Sequence, residues 1–239
     1  MSRVRRSASG SYRSEEHHPL LVGTILLAAL AAIAGAGWWV WRYSRAQAFQ
    51  MPLAVGAGFD VSQSVTIRQK QQAVSFLNKL IGTVMPPRTP TKIWRFAEGV
   101  ETVHESRPIA SKDLWQVSRD TIEKYMGKWG TRPDKVLHEF QQYMQQFPER
   151  RFVLCLFTDG ECHAAEATRE RAAQLAQNEQ VAALVVGPVT NQYRAKVENE
   201  YYAPLRDAGK LFVFGETDAL DTLQRVKEQL RAIDRSTAR

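Results

Sequence analysis

Apolar and polar positions follow two rhythms along this chain. From residue 52 onward, short continuous apolar runs alternate with stretches whose apolar residues recur near every 3.6 positions, the signature of buried strands followed by amphipathic helices. "PLAVGAGF" (52–59), "RFVLCLF" (151–157), "VAALVVG" (181–187) and "KLFVFG" (210–215) read as strands, the continuous apolar ones buried on both faces. Residues 65–84 read as a helix, with Ile67, Val74, Leu77, Leu80 and Ile81 near helical spacing. So do residues 111–126, 133–147, 163–178, 192–209 and 218–233, with Pro133 suited to a first helical position. Residues 91–106 read as two strands folded back at Glu98-Gly99. Strands alternating with helices predict an α/β fold, a Rossmann-like, doubly wound, mostly parallel central sheet flanked by helices.

A different pattern precedes it. "PLLVGTILLAALAAIAGAGWWVW" (19–41) runs for 23 residues without a charge. As a helix it is about 34 Å long, enough to cross a hydrocarbon core of about 30 Å. Trp38, Trp39, Trp41 and Tyr43 suit an interfacial aromatic belt, and Arg42 and Arg45 make a polar stop. A cleavable signal peptide is the competing reading, because "AQA" (46–48) has the small-x-small form of a cleavage site. Against it, the apolar run is long and two arginines intervene. Arg3, Arg5, Arg6 and Arg13 precede the span and only Arg42 and Arg45 follow it closely, so the positive-inside bias puts the N-terminus in the cytoplasm and the remainder outside it. The expected organisation is a basic tail (1–18), a transmembrane helix (19–41), a connector (42–51), one globular domain (52–233) and a C-terminal tail (234–239).

Charge changes this picture little. Of the formal +7, residues 1–45 carry +4, with six Arg against two Glu, which leaves the globular part only mildly basic and gives no stripe for nucleic acid. The two cysteines, Cys155 and Cys162, are too few for a disulfide framework or a structural zinc site.

The candidate chemistry lies where strands end. In an open parallel sheet, ligands bind at the carboxyl ends of the strands, where strand order reverses. Two predicted strands run into an aspartate there, "AVGAGFD" at Asp60 and "VLCLFTD" at Asp159, and Ser62 and Ser64 follow the first at two-residue spacing. Thr131, in "KWGTRPD" just before a helix, returns to the same edge. Two carboxylates and three hydroxyls form an all-oxygen set that suits Mg²⁺, with Mn²⁺ or Ca²⁺ as alternatives, and disfavours zinc. Hydroxyl ligands add no charge, so a bound cation would keep positive charge for an incoming anionic group.

Asp60-x-Ser62-x-Ser64, Gly130-Thr131 before a helix, and "FTDGE" (157–161) together resemble the three parts of the metal-ion-dependent adhesion site of von Willebrand factor type A domains, in that family's order. The resemblance covers about residues 52–233. It implies that Ser62 and Ser64 bind a metal directly, that Thr131 binds it directly or through water, and that Asp60 and Asp159 act mainly through water. It also implies a protein partner whose Glu or Asp completes the coordination. "GAG" (56–58) departs from the bulkier hydrophobic strand usual in that family. Other readings of the same residues are a strand end with a helix cap, an assembly or scaffold factor whose metal site is vestigial, and a Mg²⁺-dependent phosphoryl hydrolase. A haloacid-dehalogenase-type phosphatase would want a second Asp where Ser62 stands, and no P-loop or G-x-S-x-G elbow is present. The pair Cys162-His163 reads either as an activated thiolate or as an ordinary half-buried residue beside a histidine; Cys155, His104 and His138 read as structural.

Overall fold

A computed structural model describes residues 49–109 and 129–237, together with Ile33, Gly35, Asp113 and Gln116. The chain divides into two units, Met1–Ala48 and Phe49–Arg239, and the second contains the whole sheet. The span expected at 19–41 and the helix expected at 111–126 lie outside the described residues, those four positions apart. Among the described residues no helix is long and apolar enough to cross a membrane.

The described strands are Leu53–Asp60 (β1), Pro90–Phe96 (β2), Val100–Pro108 (β3), Arg151–Phe157 (β4), Val181–Val186 (β5) and Leu211–Val213 (β6). The described α-helices are Ile67–Lys79 (α1), Pro133–Gln145 (α2), Ala165–Gln177 (α3), Asn191–Lys196 (α4), Ala203–Asp207 (α5) and Ala219–Thr237 (α6). The sheet order is β3-β2-β1-β4-β5-β6. All neighbours are parallel except β2 and β3, the predicted hairpin. This is the doubly wound α/β architecture expected from the alternation of runs.

Local chemistry sets the helix limits. Thr66 caps α1 through a reciprocal box: its hydroxyl accepts from the Gln69 N–H at 3.3 Å, and the Gln69 amide oxygen accepts from the Thr66 N–H at 2.9 Å. The helix therefore starts just after the predicted residue 65, and a π-helical turn, Leu80–Val84, finishes the predicted stretch. The helical stretch predicted over 192–209 is broken into α4, a π-helical turn (Val197–Tyr201) and α5. Pro204 lacks an N–H to continue the ladder and sits in the first turn of α5, where none is needed.

Side-chain alternation along the strands builds two cores. Leu53, Val55, Ala57 and Phe59 of β1, with Val153, Cys155 and Phe157 of β4, face α1 and α6, where Phe76 stacks on Phe214 at 4.6 Å. Ala54 of β1 and Phe152, Leu154 and Leu156 of β4 face the other side, with Phe140 and Tyr143 of α2 edge-on to Trp94. By the same parity Gly56, Gly58 and Asp60 point toward α2.

The run "GAG" is thus a continuous buried strand, and its glycines have a steric role. A Cβ on Gly58 would stand 2.7 Å from Val136 Cγ2 of α2, and one on Gly56 would meet Leu154, Phe140 and Trp94 at 3.2–3.3 Å. Lacking those atoms, β1 lets α2 sit against the sheet directly before Asp60. We predict that Gly58→Ala destabilises the domain by about 1–3 kcal/mol in urea denaturation, because the β-branched Val136 cannot yield without moving α2. Gly99→Ala, where no heavy atom lies within 4 Å of the added carbon, should change stability by less than about 0.5 kcal/mol. Equal effects at the two positions would show that the close approach of α2 is unimportant.

Candidate metal centre

β1 and β4 are parallel neighbours, with Gly58 opposite Leu156 and Phe59 opposite Phe157. The order of the chain reverses between them, β2 and β3 lying on one side and β5 and β6 on the other. Their carboxyl ends therefore border the crevice at the switch point of the sheet. Each delivers a carboxylate there: Asp60 closes β1 and is 2% exposed, and Asp159 lies just beyond β4 at 3%.

Hydrogen bonds fix both acids. Asp60 Oδ1 accepts from the Ser62 N–H at 2.8 Å, turning the chain out of the sheet, and Asp60 Oδ2 accepts from the Thr158 hydroxyl at 2.8 Å. Asp159 Oδ1 accepts from the Glu161 N–H at 3.0 Å, and the Ser64 hydroxyl also bonds this carboxylate. The Ser62 and Ser64 hydroxyls lie 3.1 Å apart. Four of the five residues singled out in the sequence therefore share one hydrogen-bonded cluster.

Thr131 joins them through the loop that carries Asp159. Its N–H donates to His163 Nδ1 at 3.0 Å, and its carbonyl accepts from the His163 N–H at 2.9 Å. Gly130, at φ +80°, makes the turn into this segment, and the Arg132 N–H reaches the Ala97 carbonyl beyond β2 at 3.0 Å. With both backbone groups of Thr131 bonded, only its hydroxyl is left. Thr131 is 0% exposed, and its Oγ1 has no hydrogen-bond partner. A buried hydroxyl without a partner costs free energy, a cost that a ligand at this point would remove.

The electrostatics agree. Burial lifts the Asp60 carboxyl from the ordinary 3.8 to about 6, against the lowering effect of the Ser62 and Thr158 bonds, and the nearby Asp159 charge adds to the rise. Burial likewise raises Asp159. Lys70, buried on α1, attracts Asp60, although burial is the larger influence and lowers its own pKa. Among the described residues no cluster of three or more His, Cys, Asp or Glu could hold a metal. The Cys162 thiol is pushed up by burial and lies 3.3 Å from the Thr168 hydroxyl, while His163 turns to Thr131; an activated thiolate finds no support. Cys155 is fully buried in the core.

Two contributors escaped the sequence reading. Thr158 lies within the quoted "FTDGE", and strand parity alone puts it on the same side as Asp60. His163 gave no periodic or spacing signal, since its partner is 32 residues away.

Known structures share this fold. Proximal thread matrix protein 1 from the mussel byssus, in a structure with a zinc-occupied metal-ion-dependent adhesion site, matches at a TM-score of 0.57 and 14% identity, over 76% of this chain and 48% of its own. The manganese-loaded TRAP protein of Plasmodium vivax matches at 0.59 and 16%, over 76% of this chain and 74% of its own. An aerotolerance-related membrane protein from Bacteroides fragilis matches at 0.51 and 14%, over 75% of this chain and 99% of its own. The chain spans about half the length of the mussel protein. No family model and no curated protein matches the sequence. The domain has the von Willebrand factor type A fold.

Because the folded state raises the Asp60 pKa above its unfolded value, it holds that proton more tightly. The associated stability is fully present below about pH 4 and is lost as pH rises through about 6. Across this window the cation-free protein should lose about 3 kcal/mol at this site, with Asp159 adding in the same direction. Thermal melts in EDTA at stepped pH check it: Asp60→Asn should flatten much of the slope. An unchanged slope in that variant would assign the pH dependence elsewhere.

Proposed function

We propose that the domain is a divalent-metal-dependent protein-binding module, anchored in a membrane by residues 19–41, that captures an acidic residue of a partner protein. Asp60, Ser62, Ser64, Thr131 and Asp159 hold the cation, Mg²⁺ in the first instance, with Mn²⁺ or Ca²⁺ as alternatives. The observation that carries this reading is the Thr131 hydroxyl, buried and without a partner on a loop clamped to the Asp159 loop. Two buried carboxylates whose ionisation is suppressed by burial, with the Asp159 charge adding to the effect at Asp60, are favoured by positive charge, and a hard cation would supply it.

The donor set gives the site its mode of action. Three of the five groups are neutral hydroxyls and the two carboxylates act mainly through water, so a bound dication would keep positive charge at its open position for an acid from outside. A Glu or Asp of a partner suits that position. Action by binding rather than turnover is supported by the site's composition: Ser62 stands where a phosphatase of the haloacid-dehalogenase type would need a second nucleophile-assisting Asp. The zinc and manganese held by two proteins of this fold lend support to a divalent cation here. Placement of the N-terminus in the cytoplasm and of the domain outside it follows from four arginines before the span and two close after it.

A cation that binds only the folded state stabilises it by about 2.7 kcal/mol at a hundredfold excess over its dissociation constant. We expect saturating Mg²⁺ or Mn²⁺ to raise the melting temperature by about 5–10 °C. The Asp60→Ala/Ser62→Ala double variant should melt at or above the cation-free wild type and ignore the cation. Partner capture from solubilised membranes should disappear in EDTA and in Asp159→Ala. A melting temperature indifferent to millimolar Mg²⁺, Mn²⁺ and Ca²⁺ would overturn the metal reading.

A further inference from the structure

We infer that His163 is a positioning residue of the metal centre, a latch that sets the Thr131 hydroxyl by clamping the loop before α2 to the loop after β4. The inference rests on the proposed metal reading and assigns the site a component outside its ligand set.

Thr131 precedes α2, and Arg132 stands at the helix N-cap without a side-chain cap bond. Its N–H therefore lies outside the helical ladder and must find a partner elsewhere. Among the described residues His163 supplies one. The imidazole Nδ1 accepts this N–H at 3.0 Å, and the His163 N–H returns a bond to the Thr131 carbonyl at 2.9 Å. The pair closes a ring of two bonds between segments that are far apart in sequence.

The ring fixes the tautomer as well. Nδ1 must present its lone pair to Thr131, so the proton of the neutral imidazole is on Nε2, and Nε2 faces Glu161 Oε1 at 3.3 Å. Glu161 in turn gives its own N–H to Asp159 Oδ1 at 3.0 Å. A continuous path thus runs from the Thr131 backbone through the imidazole and Glu161 to the Asp159 carboxylate, joining two of the proposed ligands without passing through a cation. Groups that orient metal ligands in this way typically contribute tenfold to a hundredfold in metal affinity.

The test uses the full chain in detergent at pH 8, with Mn²⁺ titrated by calorimetry. His163→Ala should weaken Mn²⁺ binding at least about tenfold. His163→Asn should restore most of the loss, because its Oδ1 accepts where Nδ1 did. His163→Gln should not. In a Thr131→Ala background, His163→Ala should cost little more, since the hydroxyl it positions is already gone. Deuterium exchange at the Thr131 amide without metal should speed up in His163→Ala and slow again in His163→Asn. Wild-type affinity in His163→Ala, failure of Asn to rescue, or the same loss with and without Thr131 would overturn the latch while leaving the metal reading intact. A wild-type chain that binds no Mn²⁺ overturns the metal reading and this role with it, whatever the exchange result.

Discussion

A carboxylate buried at the end of the central strand is the constraint from which the rest of this domain follows. Asp60 is 2% exposed, and removing it from water suppresses its ionisation. The fold holds it there because β1 is flanked by β2 and β4 and covered on both faces, so its last residue cannot reach solvent without fraying the sheet. The Ser62 N–H and the Thr158 hydroxyl return part of the lost hydration, and Lys70 returns part of the charge. Neither compensates Asp159, which burial disfavours as well. Two such acids in one crevice are what the proposed cation would compensate.

The same strand sets the distance at which the third element arrives. Gly56 and Gly58 share a face with Asp60, and their missing side chains let α2 lie against the sheet. Thr131 sits two residues before α2, so the packing of that helix sets where it meets the loop that carries Asp159. Sterics in the middle of β1 and electrostatics at its end are therefore parts of one arrangement. Larger side chains at 56 or 58 would lift α2 and Thr131 together.

Much of this was legible in the residues. Continuous apolar runs of strand length, separated by helical periodicity, pointed to a parallel sheet, and a parallel sheet brings its strand ends to one edge; Asp60 and Asp159 were placed on that edge, and the pairing of β1 with β4 makes them neighbours there. The hairpin at Glu98-Gly99 was likewise readable. The function of "GAG" was not, because its glycines look like loop formers until the parity of β1 and the position of α2 are known. The break of the 192–209 stretch at Pro204 was visible in the proline itself but overridden by the surrounding helical pattern. His163 was hidden for a deeper reason: its bonds to Thr131 join two loops, and loop-to-loop contacts leave no period in the sequence. The segments at 19–41 and 111–126 are read from sequence alone.

The fold is shared by proteins with separate tasks, and fold alone assigns none of them. In this chain the proposed metal reading rests on the oxygen-bearing side chains at the switch point and on the buried Thr131 hydroxyl that has no hydrogen-bond partner. Anomalous diffraction from crystals of the protein soaked in Mn²⁺ tests that claim most directly. The account predicts one strong peak, about 2.0–2.6 Å from the Ser62 and Ser64 hydroxyls and next to Thr131 Oγ1. Saturating Mn²⁺ with no peak at that crevice, or a peak held by other residues, would contradict it.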